Sequence, residues 1–250
     1  MKAFSLHAII VSRGLAALLR ECLGSLDRAM EPIRGRGWTT GVTVVDNAST
    51  PPLRGQLDDA PAHDILRFDT HHSFAAACNA AAQAHPADLY LFLNNDVLLH
   101  KLALHHMAKV FEADRRTAVC GTRMVFPDDT IQHAGVVFGP GEKGPYHDHR
   151  KEASLLVPRI TRDCQAVTGA CMLVEGDIFR RLNGFDEAFP FGLEDVDFCL
   201  RVRQAGHRIV CCQETDSLHF ESMTPGRVEL DIPSRRLFME RWKNRYTVDG

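Results

Sequence analysis

The chain has 250 residues, 45% apolar and 24% charged, a composition that supports a hydrophobic core without disulfide or metal staples. Its formal charge of −3 and isoelectric point near 6.5 exclude the dense basic face of a nucleic-acid binder. The apolar run 6–11 is too short to cross a bilayer and lacks a signal-peptide cleavage pattern, and no other stretch approaches ~20 apolar residues. The chain therefore reads as cytoplasmic, with peripheral attachment to the inner face of a membrane left open.

In chain order, residues 7–11 read as a buried strand. Residues 15–26 follow as a helix, with Leu15, Leu18, Leu19, Leu23 and Leu26 at helical spacing. Residues 42–46 form a second, β-branched strand that ends in Asp46-Asn47-Ala48-Ser49, and 65–68 form a third. The Ala-rich stretch 74–84 predicts a helix stopped by Pro86. Residues 89–93 form an all-apolar strand that ends abruptly in Asn94-Asn95-Asp96, and 100–113 predict another helix. Strands alternating with helices imply a mostly parallel sheet covered on both faces. Ligands of such sheets sit beyond the carboxyl ends of the strands, so the first half reads as a nucleotide-binding layer. It carries neither a G-x-G-x-x-G nor a P-loop pattern.

The second half has a different texture. Residues 131–138 read as a strand, and the Gly- and Pro-rich stretch 139–145 with His147-Asp148-His149 reads as a loop. Residues 171–174 predict a strand, 177–182 a short helix, 195–205 a longer one, 208–212 a strand and 234–246 a closing amphipathic helix. There is no repeat and no low-complexity linker, so one domain is expected. It would have a nucleotide-binding half over about 1–115, a catalytic and acceptor half over about 116–232, and a C-terminal helix over 233–250. The eight cysteines are scattered without a C-x-x-C pair and read as small buried hydrophobes.

Four groups of residues could carry chemistry. Asp46 could accept the N3–H of a uracil or thymine ring, or simply close an Asx turn. Asp96, with Asn95 beside it, offers hard oxygens to Mg²⁺ or Mn²⁺ on a diphosphate, or caps the next helix. Glu194, Asp195 and Asp197 crowd three carboxylates at a helix start. Crowding raises a carboxyl pKa and suits a base awaiting a proton, while the helix dipole alone would also favour acids there. Asp197 and Arg201, four apart, could pair, which makes Asp197 structural. His219 follows the last strand and would be a nitrogen ligand if it faces Asp96.

Taken in order, VTVVDNAST, SFAAACNAAA, LYLFLNNDV, the long block VTGACMLVEGDIFRRLNGFDEAFPFGLEDVDFCLRVRQAGHRIV and LHFES resemble the family 2 inverting glycosyltransferases. The similarity is greatest to the rhamnosyltransferase-like bacterial branch that builds surface polysaccharides, where segments like IQHAGVVFG are common. The resemblance implies a GT-A fold and sugar transfer from a UDP- or dTDP-linked donor to a saccharide or lipid-linked acceptor, with Mg²⁺ or Mn²⁺. It implies that Asp46 contacts the base, that Asn79 and Asn95 lie near the donor, and that Gly169 and Ala170 line the cleft. Asp96 and His219 would hold the metal. Asp195, with Glu194 beside it, would be the catalytic base.

The chain departs from the family pattern at Asn94, where the D-x-D motif has its first carboxylate, at Ser73, where a Gly is usual, and at Ser12-Arg13. The weakened D-x-D motivates an alternative, a non-catalytic binding or scaffold protein of the same fold. A sugar-nucleotidyltransferase would need a basic, Gly-rich triphosphate loop where this chain offers only Arg13-Gly14. A zinc hydrolase built on His133, His147 and His149 would lack a helix-borne H-E-x-x-H.

Overall fold

The computed structural model describes residues 3–221 and 227–250. Four parallel strands open the chain: β1 (Ser5–Ser12), β2 (Thr39–Asn47), β3 (Asp64–Phe68) and β4 (Leu89–Asn94), in the spatial order β4-β1-β2-β3. Helix α1 (Ala16–Arg34) links the first two, and α2 (Phe74–Ala84) precedes the fourth. Ser73 caps α2 by accepting the Ala76 N–H at 3.2 Å, so the residue that departs from the family Gly acts as an ordinary helix cap.

The second half extends the same sheet with mixed polarity. It comprises β5 (Val97–Leu98), α3 (Ala103–Ala113), β6 (Thr117–Val125), β7 (Ile131–His133), β8 (Val136–Gly139), β9 (Gly144–His147), β10 (Arg162–Asp163), β11 (Cys171–Glu175), α4 (Gly176–Arg181), α5 (Glu194–Gln204), β12 (Arg208–His219) and α6 (Arg227–Trp242). The sheet runs β10-β12-β6-β11-β4-β1-β2-β3. β11 lies antiparallel between β4 and β6, and β12 runs parallel to β6.

Strand alternation divides the core into two. Ile9, Val45, Tyr90, Phe92, Met172 and Val174 face α2, α4, α5 and α6. Their neighbours Ala8, Ile10, Val44, Leu91, Leu93 and Leu173 face α1 and α3. This is the α/β architecture with both faces covered that the alternating pattern predicts. All eight cysteines carry free thiols and seven are buried, matching their reading as small hydrophobes.

Besides the two-residue strands β5 and β10, the structure adds to the expected elements in three places. β6 has no counterpart among the predicted strands, although all nine of its residues are buried. Residues 131–138 form two strands, because Gly135, at φ +111°, turns the chain between them. The expected loop at 139–149 pairs as β9 against β8. The closing helix spans Arg227–Trp242 and carries Pro233 within it. Ser222, the last residue of the LHFES segment, lies outside the described residues. Among the described residues no helix is long and apolar enough to cross a membrane.

Candidate active site

The carboxyl ends of β1, β2 and β4 converge, and the residues singled out from the sequence fall at or near them. Asp46 is the penultimate residue of strand β2, fully buried. Its carboxylate accepts the Ser49 and Leu53 N–H groups, each at 3.0 Å, and pairs with the Arg67 guanidinium. Burial works against the charge, but hydrogen bonds from Ser49, Leu53 and Arg67 outweigh it and hold Asp46 below the usual carboxylate range. Both oxygens therefore order the 46–53 turn. Arg67 is a partner without any signal in the sequence, since it meets Asp46 only through the β2–β3 pairing.

Asn95 donates to Ser12 Oγ at 2.8 Å, which ties the β4 end to the β1 end. The next residue, Asp96, is buried and faces His219 across the β5–β12 pairing, where His219 registers with Val97. His219 Nε2 approaches Asp96 Oδ1 to 3.2 Å. The approach is not aligned as a hydrogen bond, since Asp96 Oδ1 has no hydrogen-bond partner among the described residues; the other ring nitrogen, His219 Nδ1, has none either. Buried polar atoms of this kind are normally satisfied. An unsatisfied carboxylate oxygen 3.2 Å from an imidazole nitrogen fits a divalent cation that takes its other ligands from phosphate oxygens and water. Among the described residues no third His, Cys, Asp or Glu completes a protein-only metal site.

α5 begins with acids. Gly192 and Leu193 both adopt positive φ, 72° and 69°, and this turn delivers Glu194 and Asp195 to the helix N-terminus. Asp195 is half-buried. Its Oδ2 accepts the Gly169 N–H at 2.7 Å and its Oδ1 the Val196 N–H at 2.7 Å. Burial raises its pKa, while bonds from Gly169, Val196 and the Thr168 hydroxyl resist the rise. Glu194 is buried and pushed up to about 8, by burial first and then by the charge of Asp195. At neutral pH Glu194 is therefore shifted towards its protonated form.

Gly169 leaves little room for a side chain. A Cβ there would lie 3.2 Å from the Asp195 Cβ. The next residue, Ala170, accepts the Asn94 N–H at 2.9 Å. Residues 169–170 therefore bridge the α5 carboxylates to the end of β4, next to Asp96.

Two residues turn out to be braces. Asp197 is fully buried and accepts from Arg201 Nε at 2.8 Å, Arg241 Nη1 at 2.7 Å and Trp242 Nε1 at 2.8 Å. This includes the Asp197–Arg201 pairing expected from their spacing. Asn79 accepts the Phe185 N–H at 3.0 Å and donates to the Phe185 carbonyl and to Glu187, each at 2.9 Å. It fastens α2 to the Gly184-Phe185-Asp186-Glu187 turn that leads towards α5. His133 and His147 meet through their Nδ1 atoms at 2.8 Å, and His149 contacts Glu152 at 3.1 Å instead.

Comparison with known proteins gives a consistent result. Residues 8–181 match the family model for glycosyl transferase family 2, and residues 153–224 match that for the N-terminal domain of galactosyltransferase. The O-antigen biosynthesis protein RfbC of Myxococcus xanthus is 35% identical over 191 residues, covering 72% of this chain and 15% of that protein. Among solved structures, GalNAc-T7 with UDP, GalNAc and Mn²⁺ superposes with a TM-score of 0.73 at 12% identity, covering 96% of this chain and 48% of that one. The mannosyltransferase PcManGT of Pyrobaculum calidifontis, in complex with GDP-Man and Mn²⁺, gives 0.67 at 18% identity, covering 94% and 61%. These two similarities concern the fold, and the chain spans only a small part of RfbC.

Proposed function

The chain belongs to glycosyl transferase family 2 and has the GT-A fold, and from that premise we propose that it transfers a sugar from a nucleoside-diphosphate donor to an acceptor hydroxyl, with inversion, in the synthesis of a surface polysaccharide or glycoconjugate. The observation that carries this reading is the bridge of Gly169 and Ala170 from the Glu194–Asp195 pair to the strand end with Asp96. In this reading a proton acceptor and a diphosphate-binding end of the sheet stand on either side of the reacting sugar.

In this reading the donor's diphosphate lies over the β4 end and its base near the β2 end, at Asp46. Asp96 and His219 would hold Mg²⁺ or Mn²⁺, and both solved neighbours were determined with Mn²⁺. When bound, that cation offsets the negative charge that grows on the diphosphate as it leaves. RfbC acts in O-antigen biosynthesis, which supports a saccharide or lipid-linked acceptor. Nucleotide-binding half, catalytic half and closing helix would act as one domain.

The acceptor hydroxyl is a weak nucleophile at neutral pH. Half-exposed Asp195, acting as a carboxylate, takes its proton as the oxygen attacks the anomeric carbon from the face opposite the diphosphate. The Gly169 and Val196 N–H groups hold the carboxylate still for that transfer. Glu194, buried and shifted towards its protonated form, favours the charge on Asp195. A positioned base contributes typically ~10²–10⁴-fold, roughly 3–5 kcal/mol of barrier. Neither Asp46 nor Asn79 has a free polar edge in this arrangement. Their support for the donor therefore runs through the turns they order, unless Arg67 releases Asp46 when a base arrives.

Calorimetric titration with UDP and dTDP, with and without Mn²⁺ or Mg²⁺, tests the donor site. Metal-dependent micromolar binding of one nucleotide supports the reading. Failure of both to bind the folded protein in the presence of metal turns it towards the non-catalytic alternative.

A further inference from the structure

Two histidines near the end of the sheet have no part in the site described above. His133, the last residue of β7, is fully buried. Its Nδ1 lies 2.8 Å from Nδ1 of His147, the half-buried last residue of β9. Its other ring nitrogen, Nε2, has no hydrogen-bond partner among the described residues. The same is true of the ring nitrogen of His219 that does not face Asp96, Nδ1. Two buried imidazoles thus each keep one open nitrogen.

Strand pairing brings the two rings to one part of the sheet. Met124 of β6 lies opposite His133 of β7 on one side and opposite Ser217 of β12 on the other, two residues before His219. His219 is close enough for its charge to bear on His133. Open polar atoms gather in the same region. Gln213 Oε1 and Thr215 Oγ1, both on β12, are buried and lack partners among the described residues, and the Gln213 amide donates to the carbonyl of Ala134, next to His133, at 3.2 Å. Buried groups of this kind are normally satisfied, and a polar interior with several of them holds bridging water.

Hydrogen-bond direction decides what these rings can do. His133 sits in an interior that disfavours a charged imidazole, because burial first, and then His147 and His219, push its pKa well below the usual histidine value. A neutral ring has one N–H and one lone pair. The bond between the two Nδ1 atoms uses one proton. Placed on His133, that proton is donated to His147, and His133 Nε2 becomes an acceptor. Placed on His147, it leaves His133 Nε2 as a second donor. A histidine that ligates a metal through Nε2 carries its proton on Nδ1 and is oriented by the acceptor that takes it. Only the first arrangement offers His219 an acceptor.

We propose that His133 is a positioning residue, whose Nε2 accepts the Nδ1–H of His219 through a buried water and so fixes the ring that would hold the cation with Asp96. This rests on the Asp96–His219 metal reading proposed above. His147 backs His133 in turn, so the pairing of β8 and β9 has a part in ordering the metal ligand.

Mn²⁺ binding in the presence of UDP or dTDP tests it, followed by the electron paramagnetic resonance signal of the free ion, a readout that needs no turnover. His133→Phe keeps a buried ring without either nitrogen and should weaken Mn²⁺ binding by about 10–100-fold. His133→Gln returns an acceptor oxygen to the side chain and should stay within about threefold of the parent. His147→Phe, at a half-buried position that tolerates change more readily, should cause a smaller loss than His133→Phe. Nucleotide binding without metal should be the same in all three. Parental Mn²⁺ affinity in folded His133→Phe or in His147→Phe overturns the proposal. A His133→Gln variant as weak as His133→Phe also overturns it, since the ring would then serve packing alone. His219→Ala separates the two levels. If Mn²⁺ affinity survives that change, or the parent binds no Mn²⁺, the metal reading fails and this inference with it. If His219→Ala loses the ion while His133→Phe keeps it, the metal reading stands and this inference alone falls.

Discussion

The Gly169 amide donates to Asp195 Oδ2 at 2.7 Å, so the strand-end loop of the sheet and the first turn of α5 meet at one carboxylate. That contact fixes where a base could act, and it depends on the absence of a side chain at residue 169. Gly169→Val would push into Asp195 and Phe74, whose nearest atoms lie 3.2 and 3.6 Å from a Cβ built there. The expected outcome is loss of transfer with a smaller loss of nucleotide binding, read by parallel activity and calorimetric assays.

Glu194 links the site to pH-dependent stability. Its folded pKa is raised to about 8 from an ordinary 4.5. Between those values the folded state binds more protons than the unfolded one, so stability falls as pH rises through the window and levels off above it. Glu194→Gln removes the group that titrates. The variant should show a flatter stability profile and gain roughly 2–4 kcal/mol relative to the parent at pH 9 compared with pH 5. Chemical denaturation across that range measures it.

Asp197 is a structural acid although it lies two residues from the proposed base. Asp197→Ala leaves Trp242 Nε1 without its acceptor and strips Arg201 and Arg241 of a shared partner. The expected loss is roughly 2–4 kcal/mol of stability, with nucleotide affinity retained in the folded fraction. A melting curve with and without nucleotide separates the two effects.

Asp96 and His219 are expected to act together. Asp96→Asn and His219→Ala should each abolish the stimulation of nucleotide binding by Mn²⁺ and leave the weak, metal-free binding in place. Full metal stimulation in either variant would remove that residue from the metal site.

Much of this arrangement was legible in the sequence because strand ends announce themselves. An apolar run stopping at Asn94-Asn95-Asp96, and another at Asp46, mark the edge where an α/β sheet binds ligands. Gly192 before Glu194-Asp195 marks a helix start. β6 was not legible, because Gly121, Thr122 and Arg123 interrupt its apolar run. Between β11 and β12 every one of its residues is buried, so no period-two pattern survives. The role of the buried Arg123 was hidden for the same reason, since its guanidinium donates to the Ser154 and Val157 carbonyls, 31 and 34 residues away. The family resemblance implies that Asn79 lies near the donor, and the structure engages its amide with Phe185 and Glu187. Only the packing of α2 against the turn before α5 reveals that.

The most direct test of the central claim compares Asp195→Asn with the parent, measuring both nucleotide binding and transfer of sugar from the nucleotide donor to an acceptor or to water. The amide preserves the shape of the side chain and its acceptor oxygen for Gly169, but it cannot take a proton. Unchanged nucleotide affinity with transfer lowered by about 10²–10⁴-fold is the predicted result. Transfer at the parental rate, or loss of nucleotide binding in a folded variant, would contradict the assignment of Asp195 as the base.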